Sequence, residues 1–298
     1  MLRSLFVAAI AILAGSTQIR AGDKDTYQIG VPKSFFRDIP ADLLPLAGQP
    51  FEELFKEQTG LKGAIAQESD AMSVAKKIDS GELQLGVLFG HEFACVREKF
   101  PNLQPIFCAV DRPKKIQALI LVRHDCKAAS LKDMPEPKLA LAKALKDHAR
   151  LYLDKQRIDD MGSGDFKTEK VETVHDAIYK VIDGSADLTV ADSASWAYFE
   201  KVYPGQSKNL RILSQSAEFP PAVLVCKKGA IDETSLKKIR DGFLSAHENS
   251  KARPVLTAIR IEKFDAVPEN YDEQLKQCLK AYPKPIDEKL TERSSAGK

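Results

Sequence analysis

The spacing of apolar and polar positions changes period repeatedly along the chain, and it is clearest between Val171 and Pro204. There His175, Ala177, Ile178, Val181 and Ile182 recur at helical intervals around polar Asp176 and Lys180, until Asp183-Gly184 stops the helix. A short apolar strand follows (Leu188, Thr189, Val190, Ala191), and Asp192-Ser193 opens a second helix that ends at Tyr203-Pro204. Residues 69 to 101 repeat the order: a helix from Ala71 to Ile78, a stop at Ser80-Gly81, a strand from Leu83 to Phe89, a turn at Gly90-His91, and a helix ending at Phe100-Pro101. The two stretches agree in order and rough spacing, not in identity. Each feeds the carboxyl end of a strand into a helix amino terminus, where unpaired N–H groups and the helix dipole favour an anion. One such end per lobe, facing across a crevice, makes a clamp for a small molecule.

The rest of the pattern is consistent with this. Tyr27 to Val31 reads as a first strand, ending in Pro32-Lys33-Ser34-Phe35-Phe36. Leu43 to Gln58 reads as a helix with Phe51, Leu54 and Phe55 on one face and a stop at Thr59-Gly60; Gly63 to Ala66 is extended. Strand and helix in alternation imply a parallel sheet with crossover helices, and in such α/β sheets ligands collect beyond the carboxyl ends of the strands. Two pairs of apolar runs then appear, Ile106 to Val110 with Ala118 to Val122, and Leu210 to Leu213 with Ala222 to Cys226, each split by a polar break. A chain that crosses to a second lobe and later returns needs such a pair at each crossing. Between them lie a strand at Lys138 to Ala142, a helix at Lys143 to Gln156 and a polar loop at Met161-Gly162-Ser163-Gly164-Asp165. The expected division is therefore 22–112 and 218–298 in one lobe, the latter with helices at Ser235 to Phe243 (capped by Asp232), Pro254 to Ile261 and Tyr271 to Tyr282, and 113–217 in the other. Residues Leu290 to Lys298 read as a frayed polar tail.

Composition alters the picture at the amino terminus. Arg3, the unbroken apolar run from Leu5 to Leu13 and the small residues ending at Ala21 read as a signal peptide over 1–21, too short to span a bilayer. No cysteine lies near the cleavage point, so the mature protein is expected free in its compartment, without a lipid anchor. Removing Arg3 and Arg20 takes the formal charge from +2 to 0, which argues against nucleic acid or an acidic membrane as partner. Five cysteines are an odd number for an exported chain. Cys108 and Cys226 fall in apolar runs and read as small buried hydrophobes, with a single disulfide left open and a disulfide framework excluded by length.

With these features in place the chain resembles the phosphate/phosphonate (PhnD-like) periplasmic substrate-binding proteins of ABC transporters, from about Tyr27 to Tyr282. The likeness is carried by Phe51-Glu52-Glu53-Leu54 through Thr59-Gly60, Ser80-Gly81-Glu82-Leu83-Gln84-Leu85-Gly86-Val87 into Phe89-Gly90, and Leu103-Gln104-Pro105-Ile106. It continues through Leu121-Val122-Arg123 with Ser130-Leu131-Lys132-Asp133-Met134, then His175-Asp176-Ala177, Gly184, Ala186-Asp187-Leu188 and Asp192-Ser193. The resemblance implies a two-lobe α/β fold of the type 2 periplasmic-binding-protein kind, with two mixed sheets flanked by helices and joined by two crossover strands. It also implies a monomeric, non-enzymatic periplasmic protein without cofactor or metal, which closes over a phosphonate-, phosphate- or phosphite-like oxyanion and serves an ABC transporter permease. In phosphonate binders a hydroxyl-rich, glycine-containing loop follows the strand corresponding to Lys138 to Ala142; here that place reads Lys143-Ala144-Leu145-Lys146-Asp147-His148. Either the ligand differs, or helix amides with a lysine or histidine hold it, or the site has been lost.

The expected ligand-binding residues are Ser34, Phe36, Gly90, His91, Lys143, His148, His175, Asp192 and Ser193. Each has a plainer reading. His175 matches the family's anion-donor histidine or simply begins a helix; Asp192-Ser193 contacts ligand or caps a helix; His148 shares a helix with apolar Leu145, Leu151 and Leu153 and so serves surface or core; Phe35 and Phe36 wall the cleft or pack the core. His91 and Cys95 are four apart, but a zinc-protease helix needs a second histidine where Cys95 stands. The Gly162-Ser163-Gly164 turn lacks the ending of a phosphate-binding P-loop. A sensory or partner-binding module that kept the clamp is the alternative function; an exported hydrolase lacks any Gly-x-Ser-x-Gly or paired-carboxylate motif.

Overall fold

The computed structural model describes residues 26–36, 48–111, 115–162, 165–259 and 261–283. The expected leader, the start of the helix expected from Leu43, Ser163-Gly164 and the expected tail from Leu290 lie outside the described residues.

The chain opens with β1 (Thr26–Pro32) and a 3₁₀ turn at Lys33–Phe36, followed by α1 (Gln49–Thr59), β2 (Lys62–Glu68), α2 (Ala71–Ser80), β3 (Leu85–Leu88), α3 (Gly90–Arg97) and β4 (Leu103–Asp111). Next come β5 (Ala118–Arg123), β6 (Lys138–Ala142), α4 (Asp147–Gln156), β7 (Lys167–Val171), α5 (Val174–Ile182), β8 (Leu188–Asp192), α6 (Ser193–Val202), α7 (Pro204–Ser207) and β9 (Leu210–Gln215). The last part holds β10 (Val223–Lys227), α8 (Glu233–Leu244), α9 (Ala252–Ala258), β11 (Ile261–Asp265) and α10 (Tyr271–Ala281).

These strands form two mixed sheets, one ordered β11-β4-β10-β3-β1-β2 and the other β7-β6-β8-β5-β9. The order β4-β10-β3-β1-β2 in the first matches β9-β5-β8-β6-β7 in the second. In each, the strand of the repeated unit lies between a parallel neighbour (β1 beside β3, β6 beside β8) and an antiparallel one (β10 or β5). The repeat that is faint in residue identity is thus complete in topology. Local chemistry explains why the two units fold alike. In α2 the residues Ala71, Val74, Ala75 and Ile78 are buried, as are Ala177, Ile178 and Val181 in α5. Asp70 accepts from the Ser73 amide at 2.7 Å and Thr173 from the Asp176 amide at 3.1 Å, satisfying first-turn donors that the helix itself leaves unpaired. Gly81 (φ 85) and Gly184 (φ 81) end the helices in the left-handed region, where a side chain would be strained.

The helix expected from Lys143 begins only at Asp147, and two further corrections lie at sheet edges. The helix expected over Pro254 to Ile261 stops at Ala258, and Ile261 instead begins β11, which pairs antiparallel with β4. The strand β7, Lys-Thr-Glu-Lys-Val, was not expected at all. An edge strand needs few apolar residues, because one side of its ladder and much of its surface stay in water, so its pattern is faint. In α1 the described helix begins at Gln49, with Pro50 in the first turn where its missing N–H costs nothing.

One buried cluster lies between the first sheet and α1, α8 and α9, including Phe55, Phe107 and Phe243. A second runs continuously from Val74 and Phe93 of the first sheet's helices to Leu119, Ile120 and Trp196 of the second sheet's region. The helix α10 reinforces that junction. Tyr271 packs its ring 6.4 Å from Phe93 and donates its hydroxyl to the Pro221 carbonyl at 2.8 Å, while Tyr282 stacks on Phe219 at 5.0 Å. Cys108, Cys226 and Cys278 are buried and no cysteine is bonded to another; burial pushes the Cys108 and Cys278 thiols up to about 12, holding them as unreactive thiols.

Candidate functional site

Four strands, two from each sheet, end against one cavity of about 350 Å³. Val31 near the end of β1, Phe89 just past β3, Lys146 between β6 and α4, and Ala194 just past β8 all line it. Asp111 at the end of β4 and Ala222 before β10 line it where the chain crosses between sheets. The walls are mostly apolar, and Phe35, Phe36, Phe51, Phe107 and Phe264 join Phe89 among aliphatic residues. Phe35 and Phe89 stack with ring centroids 3.8 Å apart and planes 2° from parallel.

The amino terminus of α6 is filled by its own residues. Asp192 is 2% exposed and its carboxylate accepts from the Ala194 amide (3.2 Å), the Ser195 amide (3.1 Å) and the Ser195 hydroxyl (2.6 Å). Lys146 Nζ stands 3.6 Å away. Burial works against the charge of Asp192, but Lys146 and the Ser195 donors outweigh it and hold the carboxyl below its ordinary value. Ser193 is also engaged, donating its hydroxyl to the Lys115 carbonyl at 2.7 Å and accepting from the Gln117 amide at 3.2 Å. These bonds tie α6 to the chain entering β5.

At α3 the first turn meets backbone. A Cβ on Gly90 would lie 2.2 Å from the Pro220 carbonyl oxygen, so only glycine lets the returning crossover approach this closely. His91 is 7% exposed and stacks on Phe89 at 5.7 Å; its ring is 6.3 Å from that of His148, which is 4% exposed at the start of α4. Phe219 packs 5.2 Å from His148 and 6.2 Å from His91. Burial, with His148 adding to it, lowers His91 to about 3. Burial likewise lowers His148 to about 4, against the opposing pull of Asp192 and of the Gln117 backbone. Both rings are neutral at physiological pH. Ser34 donates to Glu92 at 2.6 Å, and Glu92 also accepts the Phe89 amide at 2.9 Å, so this hydroxyl braces α3.

Of the nine expected residues, Phe36 lines the cavity directly, while Asp192 and His91 contact the lining residues Lys146 and Phe89, and Ser34, Gly90 and Ser193 adjoin lining residues in the chain. Lys143 pairs with Glu172 on the surface; the lysine at the cavity is Lys146, three residues on. Nothing in the string from Lys143 to His148 distinguishes the two, because the turn after β6 decides which side chain faces inward. His175 lies among Tyr179, Phe199 and Tyr203, with ring centroids 4.6, 5.7 and 5.1 Å away. Asp111 was missed because it falls in a charged break that reads as plain linker. Among the described residues, no group of three or more histidine, cysteine or acidic side chains is placed to hold a metal ion.

Comparison with known families gives a match over residues 40–271 to the model for the phosphonate periplasmic substrate-binding proteins of ABC transporters. The chain belongs to this family. Among curated proteins no significant match was found. Solved structures with the same fold include XAC2383 of Xanthomonas citri bound to ATP (TM-score 0.62, 17% identity, 87% of this chain and 97% of that one). PhnD1 of Prochlorococcus marinus in complex with methylphosphonate aligns with TM-score 0.61 and 14% identity over 86% of this chain and 97% of that one. The binding-protein component of an ABC phosphonate transporter, PA3383 of Pseudomonas aeruginosa, aligns with TM-score 0.59 and 16% identity over 86% of each chain. As a family member the chain is a periplasmic transporter-type binding protein of two α/β lobes, and among the described residues no helix is long and apolar enough to cross a membrane.

Proposed function

We propose that this chain is the exported solute receptor of an ABC importer, released as a monomer by cleavage after Ala21. It takes a small molecule into the cavity between its lobes, residues 22–112 with 218–298 on one side and 113–217 on the other, and presents the closed form to a permease. The observation that carries this reading is the convergence of four strand ends, two from each sheet, on one cavity. Ligands of open α/β sheets gather at such ends, and a cavity lined from both lobes changes shape when the lobes rotate about the crossings. PhnD1 holds methylphosphonate and XAC2383 holds ATP in the same fold, which supports use of the fold for capture.

The oxyanion implied by the resemblance is less well supported by this chain's own residues. The Asp192 carboxylate already occupies the donors of the α6 tip, the Ser193 hydroxyl is committed to the crossing strand, and both histidines are neutral. Small-angle scattering and thermal melts of the leaderless protein against a broad panel of nutrients, oxyanions, amines and nucleotides test the receptor reading. A true ligand should shrink the radius of gyration and raise Tm together; a panel in which no compound moves either quantity would count against solute capture.

A further inference from the structure

We propose that the cavity between the lobes is built for a small organic amine: a protonated nitrogen carried on an apolar or aromatic body. The inference rests on the solute-receptor reading and names the class of solute. The body is specified by the walls, since Phe35, Phe36, Phe51, Phe89, Phe107 and Phe264 present little besides ring surface, and a volume of about 350 Å³ falls in the lower range of small-molecule pockets. A phosphate or methylphosphonate would gain nothing from such walls and would lose its hydration against them.

The sign of the charge is specified by the polar end. Among the described lining residues, Lys146 and Asp111 are the charged groups, and the Asp192 carboxylate stands 3.6 Å behind Lys146. Two carboxylates therefore share one ammonium. Lys146 is paired with Asp192, so among the described residues the Asp111 carboxylate is left with less than a full counter-charge. Burial raises its pKa, and the nearby Asp192 adds to that, while Lys146 offsets only part. An incoming cation supplies the missing charge; an incoming oxyanion adds a third negative group beside the two carboxylates. Neither His91 nor His148 offsets this, because both are neutral. Aromatic faces also attract a positive nitrogen, so the walls and the carboxylate favour the same ligand.

The test is calorimetric titration of the full chain without its leader, using four probes: 2-phenylethylamine, 2-phenylethanol, 3-phenylpropionate and methylphosphonate. The amine should bind, the alcohol should be about tenfold weaker, and the two anions weaker again. Asp111→Asn should weaken the amine about tenfold and leave the alcohol within about twofold. The four-probe ranking on the unmodified protein stands whether or not that variant folds. Tighter binding of methylphosphonate or 3-phenylpropionate than of the amine overturns the amine assignment while leaving solute capture intact, and equal binding of amine and alcohol overturns the role of Asp111. Failure of all four probes also overturns the amine assignment, and the scattering panel then decides separately whether the protein captures any solute.

Discussion

At the tip of α3 the chain brings in a glycine and fills the space with another backbone: Pro220 of the returning crossover lies where a Cβ would be. At the tip of α6, the equivalent place in the other sheet, the chain brings in Asp192 and fills the space with a side-chain carboxylate held by two amides, a hydroxyl and Lys146. At α6 the carboxylate accepts from N–H groups that the helix leaves unpaired, while at α3 the Pro220 backbone fills the space by close approach. The consequence differs. The first closure couples α3 to the crossing between lobes; the second occupies the amides at the start of α6 with the chain's own carboxylate. Topologically equivalent sites can therefore carry different chemistry.

The largest break in this comparison should come from Asp192→Ala. It leaves two helix amides without their acceptor and Lys146 without its partner, and the expected loss is about 3 kcal/mol in urea unfolding. A loss below about 1 kcal/mol would show that water replaces the cap and that the α6 tip is not closed. Next, Gly90→Ala forces the Pro220 backbone away by the clash described, at a cost of about 1–3 kcal/mol. The same variant should leave the α6 tip unchanged, which amide exchange at Ala194 and Ser195 can check.

Acidity probes the two tips together. His91 and His148 have folded pKa values of about 3 and about 4 against 6.5 for the free side chain, and they face each other, Phe219, Asp192 and Lys146. Below pH 6.5 the unfolded chain binds protons that the folded chain refuses, so stability is level above 6.5 and falls as the pH drops toward 4 and 3. The slope approaches about 1.4 kcal/mol per pH unit for each histidine. Chemical denaturation across pH 4 to 8 should show this fall, and His148→Gln should flatten it; a level profile from pH 7 to 4.5 would contradict neutral burial of the pair. The smallest effect is expected at Lys143. Its ion pair with Glu172 is exposed on both sides, so Lys143→Ala should change stability by less than about 0.5 kcal/mol and leave ligand titration unchanged. Lost binding in that variant would return the site to the lysine that sequence reasoning favoured.

The elements that were legible in the sequence owe their form to neighbours in the chain. The buried stripe of α5 and the glycine stops at Gly81 and Gly184 are set within one or two helical turns, so spacing alone reveals them. The two crossings were legible for a similar reason, as paired apolar runs. The polar edge strand β7 and the strand β11 were not, because their place depends on β6 and β4, distant partners whose ladder hydrogen bonds carry no side-chain signature.

By itself the sequence determined an α/β chain with a repeated strand–helix unit and glycine at the tip of α3. Tertiary structure alone decided what each tip holds. Whether Lys143 or Lys146 turns inward, whether Asp192 caps or binds, and whether Asp111 is linker or cavity wall depend on contacts between residues tens of positions apart. Charge and hydrogen bonding at a site act through space over a few ångströms, and only the folded chain says which groups come that close.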